Sequence, residues 1–345
     1  MENIDVHDGM AIGFYLVKGM NNLVLNCDAH DNYDGYSEGD SGNVDGFGGH
    51  ANKETSTGNI FRGCRAWNNG DDGFDLINCY ASYIIEYCWS FRNGYKPHSI
   101  ESSGGNGAGF KSGGYGMGDI KKVPNPIPQH TVRYCIAYYN RQQGFYSNHH
   151  LGGLIFENNT AYKNPSNYNM LNRKSSNEAV DVPGYGHIIK NNLSLSPRNS
   201  GGFPQHLINV DNTLSEIKNN SFAPNDLNLS ESDFESLNEQ ELMGSRKSDG
   251  SLPDINFLRL TNHANFRFSG MGCFINEEAV DYSWIQEPAI VLENGVARIV
   301  GEDSKSFNKF YVNGEEVSIE NGISGELNLK AISENGAVTT LIINK

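Results

Sequence analysis

Four aspartates and one lysine carry the chemistry this chain can do. Asp45 lies in Gly42-Asn43-Val44-Asp45-Gly46-Phe47, and Asp71, Asp72 and Asp75 lie in Asn69-Gly70-Asp71-Asp72-Gly73-Phe74-Asp75. Asp45 and Asp72 each precede a Gly-Phe pair, Asp75 follows one, and Lys111 follows a third, Gly109-Phe110. A lone Asp before Gly is an ordinary turn residue. Four gathered at one place repel each other unless a cation lies between them. Hard carboxylate oxygens suit Ca²⁺, which takes about 6–8 oxygen ligands and so leaves room for water and a substrate carboxylate. An isolated lysine is a solvated charge, but a lysine in register with such a cluster is a candidate proton-abstracting base.

Whether these five residues meet depends on a repeat. Aligned on Cys27, Cys64, Cys88, Cys135, Asn159, Asn192 and Asn220, seven segments agree at four positions. Three residues earlier stand Val24, Phe61, Ile85, Val132, Phe156, Ile189 and Ile217. Two residues later stand Ala29, Ala66, Ser90, Ala137, Ala161, Ser194 and Phe222. Five residues later stand Asn32, Asn69, Asn93, Asn140, Asn164, Pro197 and Asn225. Gly-Phe recurs at 13–14, 46–47, 73–74, 109–110 and 144–145, once per coil over that stretch. A parallel β-helix accounts for columns in register, because coils stacked about 4.8 Å apart place equal positions above one another. Each coil then reads as a short strand, an Asn turn, a Gly-Phe strand and a return. The apolar columns form the core, and the Asn column can bond from coil to coil. Scattered Asn-rich loops of a sandwich would not keep four columns in step. The register sets Asp45 beside Asp72 and Lys111 beside Asp75. The glycine-rich Ser102–Gly109 loop, bare of bulk, leaves a groove for a polymer.

The residues two before the Cys column alternate in charge on most rungs, from Arg62 and Glu86 to Arg133 and Glu157, as an outward face should. The cysteine column is expected to be buried thiols, since in-register parallel neighbours rarely have disulfide geometry. Six cysteines without a CxxC pair argue against a zinc site. A net charge of -15 disfavours nucleic acid and anionic membranes, and would repel an acidic polysaccharide unless cations intervene. No apolar run is long enough to span a bilayer.

After Asn225 the pattern stops, and Leu227 to Glu235 holds a short helix start with a Ser cap. Asn294-Gly295, Asn313-Gly314, Asn321-Gly322 and Asn335-Gly336 then punctuate alternating strands, a hairpin signature. Two domains are expected: a parallel β-helix over residues 1–260 and a small C-terminal β-sandwich over 285–345. The sandwich resembles the sorting domains of type IX secretion, with an accessory carbohydrate-binding module as the competing assignment. Met1 is followed by no basic-then-apolar leader, and no cap precedes the first coil; earlier coils and a signal peptide are therefore expected upstream of this sequence.

The segments Val44-Asp45-Gly46-Phe47, Gly63-Cys64-Arg65-Ala66-Trp67, Asp71-Asp72-Gly73-Phe74-Asp75 and Gly109-Phe110-Lys111, in this order and spacing, resemble polysaccharide lyase family nine over about residues 10–260. The resemblance implies a right-handed parallel β-helix of all-β class. It implies calcium held by Asp45, Asp71, Asp72 and Asp75, and Lys111 as the base. It also implies β-elimination on pectate or rhamnogalacturonan I by a secreted protein, expected to be monomeric. The partner would be an acidic plant cell-wall polysaccharide. Arg141, Tyr146, Asn148 and His149 follow one coil beyond Lys111 and could hold neighbouring sugars; His149 or His150 could instead cap a turn. The Tyr- and His-rich stretch leans towards the rhamnose-containing polymer, which presents isolated uronates. Two rivals remain at this stage: a pectin hydrolase on the same scaffold, using two carboxylates without calcium, and a non-catalytic pectin-binding β-helix.

Overall fold

The structure is a computed structural model of the 345-residue chain. It describes residues 1–37, 41–115, 123–198, 205–222 and 227–274, and the strands between 289 and 343. By contacts the chain divides into two units: Met1–Arg259 with Met271–Phe274, and Leu260–Gly270 with Ile275–Lys345.

The first unit is a right-handed parallel β-helix with three parallel sheets of seven strands each among the described residues. The coil at Cys64 gives one strand to each sheet: Asn59–Arg62, Arg65–Trp67 and Phe74–Asp75. What reads in the sequence as one strand around the Cys column is thus two. The residue just before that column explains the break, for it lies in the left-handed region on every rung: Asn26, Gly63, Tyr87, Tyr134, Asn158, Asn191 and Asn219 all have φ between 53° and 63°. Asn and Gly visit this region at low cost; a tyrosine does so only when the surrounding rungs hold it there.

The columns stack as the repeat requires. Val24 pairs with Phe61, Phe61 with Ile85, and so on to Ile217. The Gly-Phe column builds an unbroken pile of rings, Phe14, Phe47, Phe74, Phe110, Phe145 and Tyr168, with centroids 4.7–5.0 Å apart. All six cysteines are free and buried, and four of them form the expected thiol column. The Asn ladder runs through Asn32, Asn69, Asn93, Asn140 and Asn164, each amide donating to the next side-chain oxygen at 2.9–3.1 Å. Pro197 has no amide to continue it; Asn167 accepts from Asn164 at 3.0 Å and donates to Ser194 at 2.8 Å. Asn225 lies outside the described residues. Where the Cys column turns to Asn, a second ladder begins, with Asn192 accepting from Asn159 and Asn220 from Asn192.

The charged face is more than surface decoration at one rung. Glu86 is only 2% exposed and bonds to both Arg62 and Arg133. Residues 227–259 contain two 3-10 turns, Glu231–Asp233 and Glu239–Met243, the first entered through Ser230 as the sequence suggests. This segment is fastened to the second sheet by Arg65, which bonds Asp28 and the carbonyls of Leu242 and Gly244.

In the second unit, a helix over Asn262–Arg267 is capped by Thr261. Ala289–Glu293 pairs antiparallel with Val296–Val300, and Phe307–Val312, Glu315–Val317, Leu327–Ser333 and Val338–Ile343 form a four-stranded antiparallel sheet. The Asn-Gly pairs between these strands lie outside the described residues. No helix among the described residues is long and apolar enough to cross a membrane.

Candidate active site

The third sheet carries the site. Its Phe column points inward, so the next residue on each strand points out. The outward column reads Tyr15, Gly48, Asp75, Lys111, Tyr146, Asn169 and Ile208, neighbours in register. The space a side chain at position 48 would need is taken by His50 and Tyr15, both of which a Cβ there would meet at 3.1 Å.

Two turns deliver the remaining carboxylates. Asp45, Asp71 and Asp72 each offer an oxygen, all within 4.8 Å of one another. Backbone amides aim them. Asn43 and Asn106 donate to the two oxygens of Asp71, Ala108 donates to Asp72, and the Asp72 amide donates to Asp45. The glycine loop therefore does something other than clear a groove. Ser103, Gly105, Gly107 and Ala108 are buried. A Cβ on Gly105 would stand 2.4 Å from the Gly70 carbonyl and 2.8 Å from Asp71 Cα, so only glycine lets the loop's amides close on the carboxylates.

Lys111, 7% exposed, reaches Asp75 Oδ2 at 2.9 Å and Asp72 Oδ2 at 3.0 Å. Burial alone would push its ammonium towards losing the proton, but Asp72, Asp75, Asp45 and Asp71 together hold its pKa well above the ordinary lysine value. One ammonium does not balance four carboxylates. Burial first, then Asp75 and Asp72, pushes Asp45 well above the carboxylate range; burial and Asp71 push Asp72 up to about 8. Asp72 Oδ2 is buried, and Lys111 Nζ at 3.0 Å is its partner. Three buried carboxylate oxygens within 4.8 Å of one another, with a single ammonium beside them, leave the cluster short of positive charge and fit a cation.

One residue of this cluster escaped the sequence reading. His50 offers a nitrogen within 4.8 Å of oxygens on Asp45 and Asp75, and its Nε2 is shielded from water without a hydrogen bond. It belongs to no repeat column; the only clue is its position three residues past Phe47.

The four residues expected to hold sugars part company. Arg141 donates to the Gly105 carbonyl at 2.6 Å and so braces the glycine loop. The Asn148 amide is buried and spent on the Gly113 carbonyl at 2.7 Å. His150 is fully buried and caps the wall, accepting from the Gly114 amide and bonding the Pro128 carbonyl. Tyr146 and His149 stay in the groove: Tyr146 Oη is 2.9 Å from His149 Nε2, and His149 Nδ1 is 2.6 Å from Asp181. Asp181, on the hairpin of Asn172–Ser175 and Glu178–Val182, is the second residue the repeat could not announce.

Comparison with known proteins identifies the family. Residues 1–219 match the family model described as Pel9A-like, right handed beta helix region, and residues 211–340 match one described as rhamnogalacturonan lyase-like, C-terminal. Pectate lyase L of Dickeya chrysanthemi is 34% identical over 283 residues, covering 82% of this chain and 58% of that protein. A solved rhamnogalacturonan lyase is 54% identical with a TM-score of 0.73, over 79% of this chain and 65% of the other. Pectate lyase Pel9A superposes with a TM-score of 0.63 at 31% identity, over 80% of this chain and 64% of the other. The chain thus spans less than two thirds of the length of each of these relatives. With its repeat, its carboxylate cluster and these matches, the chain belongs to polysaccharide lyase family nine.

Proposed function

We propose that this chain cleaves the galacturonate-containing backbone of pectin by β-elimination, with Lys111 as base beside a calcium site of Asp45, Asp71, Asp72 and Asp75. The observation that carries the proposal is the contact of Lys111 Nζ with both Asp72 and Asp75, which puts the one amine of the outward column at the edge of the cluster. Calcium, when bound, would supply positive charge to the substrate's uronate carboxylate and so acidify the hydrogen on C5.

The protein's own part follows. Lys111 must be neutral to accept that proton, and in the charged cluster it is held protonated. Carboxylates engaged by a cation would hold the ammonium less strongly, which would favour the neutral amine of Lys111. The electrons of the C5–H bond become the C4–C5 double bond as the C4–oxygen bond breaks. A glycoside hydrolase would use two of the carboxylates as acid and base and would leave Lys111 without a task.

Rhamnogalacturonan I is the preferred substrate. The 54% identity to a rhamnogalacturonan lyase, and the C-terminal match of the same description, favour it over polygalacturonate. Polygalacturonate is the second reading, supported by relatives named pectate lyase. A plant cell-wall polymer as substrate would suit a protein that is secreted, held at the cell surface or periplasmic. The experiment is the release of ultraviolet-absorbing unsaturated product from each polymer, with calcium and with chelator. Reducing ends without absorbance would indicate hydrolysis, and binding without either product would indicate a non-catalytic module.

A further inference from the structure

Elimination needs an acid as well as a base, since the oxygen leaving C4 departs as a strongly basic alkoxide unless it receives a proton. We propose that Tyr146 is this acid, and that His149 and Asp181 position its hydroxyl. The assignment rests on the lyase reading above.

Tyr146 is the register partner of Lys111 on the following rung, so both project from the same outward column. Their polar ends are drawn apart. Lys111 leans back to Asp72 and Asp75 on the preceding coil. The Tyr146 hydroxyl is tied to His149, which is tied in turn to Asp181 on the hairpin beyond. The opening between amine and phenol therefore spans two adjacent rungs, whose backbones lie about 4.8 Å apart. In a galacturonate ring the C5 hydrogen and the C4 oxygen lie on opposite faces. A ring entering this opening edge-on would turn its C5 hydrogen to Lys111 and its C4 oxygen to Tyr146.

The polar chain behind Tyr146 has one sense. A carboxylate only accepts, so His149 Nδ1 carries a proton towards Asp181, and Arg173 Nε stands 3.8 Å from the same carboxylate oxygen. This orients Nε2 at the phenol. Burial, then Asp181, pushes the Tyr146 pKa up to about 12, so the residue arrives as a phenol and has a proton to give. The step balances. Lys111 gains the C5 proton, the C4–oxygen bond breaks with its electron pair on oxygen, and Tyr146 protonates that oxygen. The phenol is restored by a solvent proton passed through His149 Nε2.

The test uses the full chain in calcium with two substrates: the polymer, and a galacturonide carrying a 4-nitrophenyl ether at C4, whose leaving phenolate needs no proton. Tyr146→Phe keeps the ring and removes the hydroxyl. It should lower kcat on the polymer about 100-fold and leave the nitrophenyl rate within about twofold. In deuterium oxide it should let deuterium enter C5 of uncleaved polymer. Asp181→Asn should lower only the polymer rate, by about tenfold. Lys111→Ala should lose both substrates. Wild-type turnover of the polymer by Tyr146→Phe overturns the proposal, and so does an equal loss on both substrates with a raised KM, which would make Tyr146 a sugar platform. Absence of unsaturated product from wild-type protein on either substrate overturns the lyase reading instead.

Discussion

Lys111 Nζ sits 2.9 Å from Asp75 Oδ2, and the two residues are direct partners in the third sheet, one rung apart. The proximity of the base to its cluster is therefore a property of strand register, and a change at either residue alters one shared electrostatic balance.

Removing the amine tests the balance from one side. Lys111→Ala should abolish unsaturated-product release, by at least about 100-fold, while calcium binding persists and tightens, because a competing positive charge has left the cluster. Isothermal titration checks this; loss of calcium binding together with activity would mean the lysine organises the site structurally.

From the other side, Asp72→Asn should weaken calcium binding and, without calcium, stabilise the fold. The Asp72 carboxyl has a folded pKa of about 8, above its ordinary value. The folded state then holds the proton more tightly, so this group's contribution is fully present below about pH 4 and is lost as pH rises through 8. Thermal midpoints in chelator should fall across that window relative to midpoints in calcium. A constant gap between the two conditions from pH 4 to 8 would contradict it.

The buried histidines act in the opposite sense. Burial pushes His150 down to about 4; burial, with His150 nearby, pushes His187 down to about 4 and His130 well below its ordinary value. Depressed histidine values favour the neutral form in the fold. Their stability is present above about pH 6.5 and declines as pH falls towards 4, by roughly 3 kcal/mol at most for His150 and for His187. His150→Gln should make the acid decline of the melting temperature shallower. An unchanged slope would show that His150 is not its origin.

The Asn ladder should matter more than its polarity suggests. Asn140 receives both the backbone and side-chain donors of Asn93 and gives its own amide to Ser90 and Asn164. Asn140→Ala strands these buried groups and should cost about 2–4 kcal/mol in denaturant unfolding. A loss under about 1 kcal/mol would mean water replaces the missing amide.

Much of this molecule was readable before any coordinates. The Phe pile, the Asn ladder, the thiol column and the meeting of Lys111 with Asp75 all follow from periodic positions, because a solenoid converts equal sequence phase into spatial contact. The left-handed break before the Cys column was not read, since Tyr87 and Tyr134 occupy it against their own preference and hide the Asn/Gly pattern.

By itself, then, the sequence determined the scaffold and the identities of Asp45, Asp71, Asp72, Asp75 and Lys111, because each is tied to a repeating Gly-Phe mark. Only the tertiary structure decided the work of the loops. It turned Arg141 and Asn148 to bracing the backbone, brought His50 against the cluster, and set Asp181 behind His149. The physical reason is that inserted turns and hairpins carry no period. Their side chains meet the groove by the path the chain takes between rungs, and that path is fixed by packing and hydrogen bonds rather than by phase.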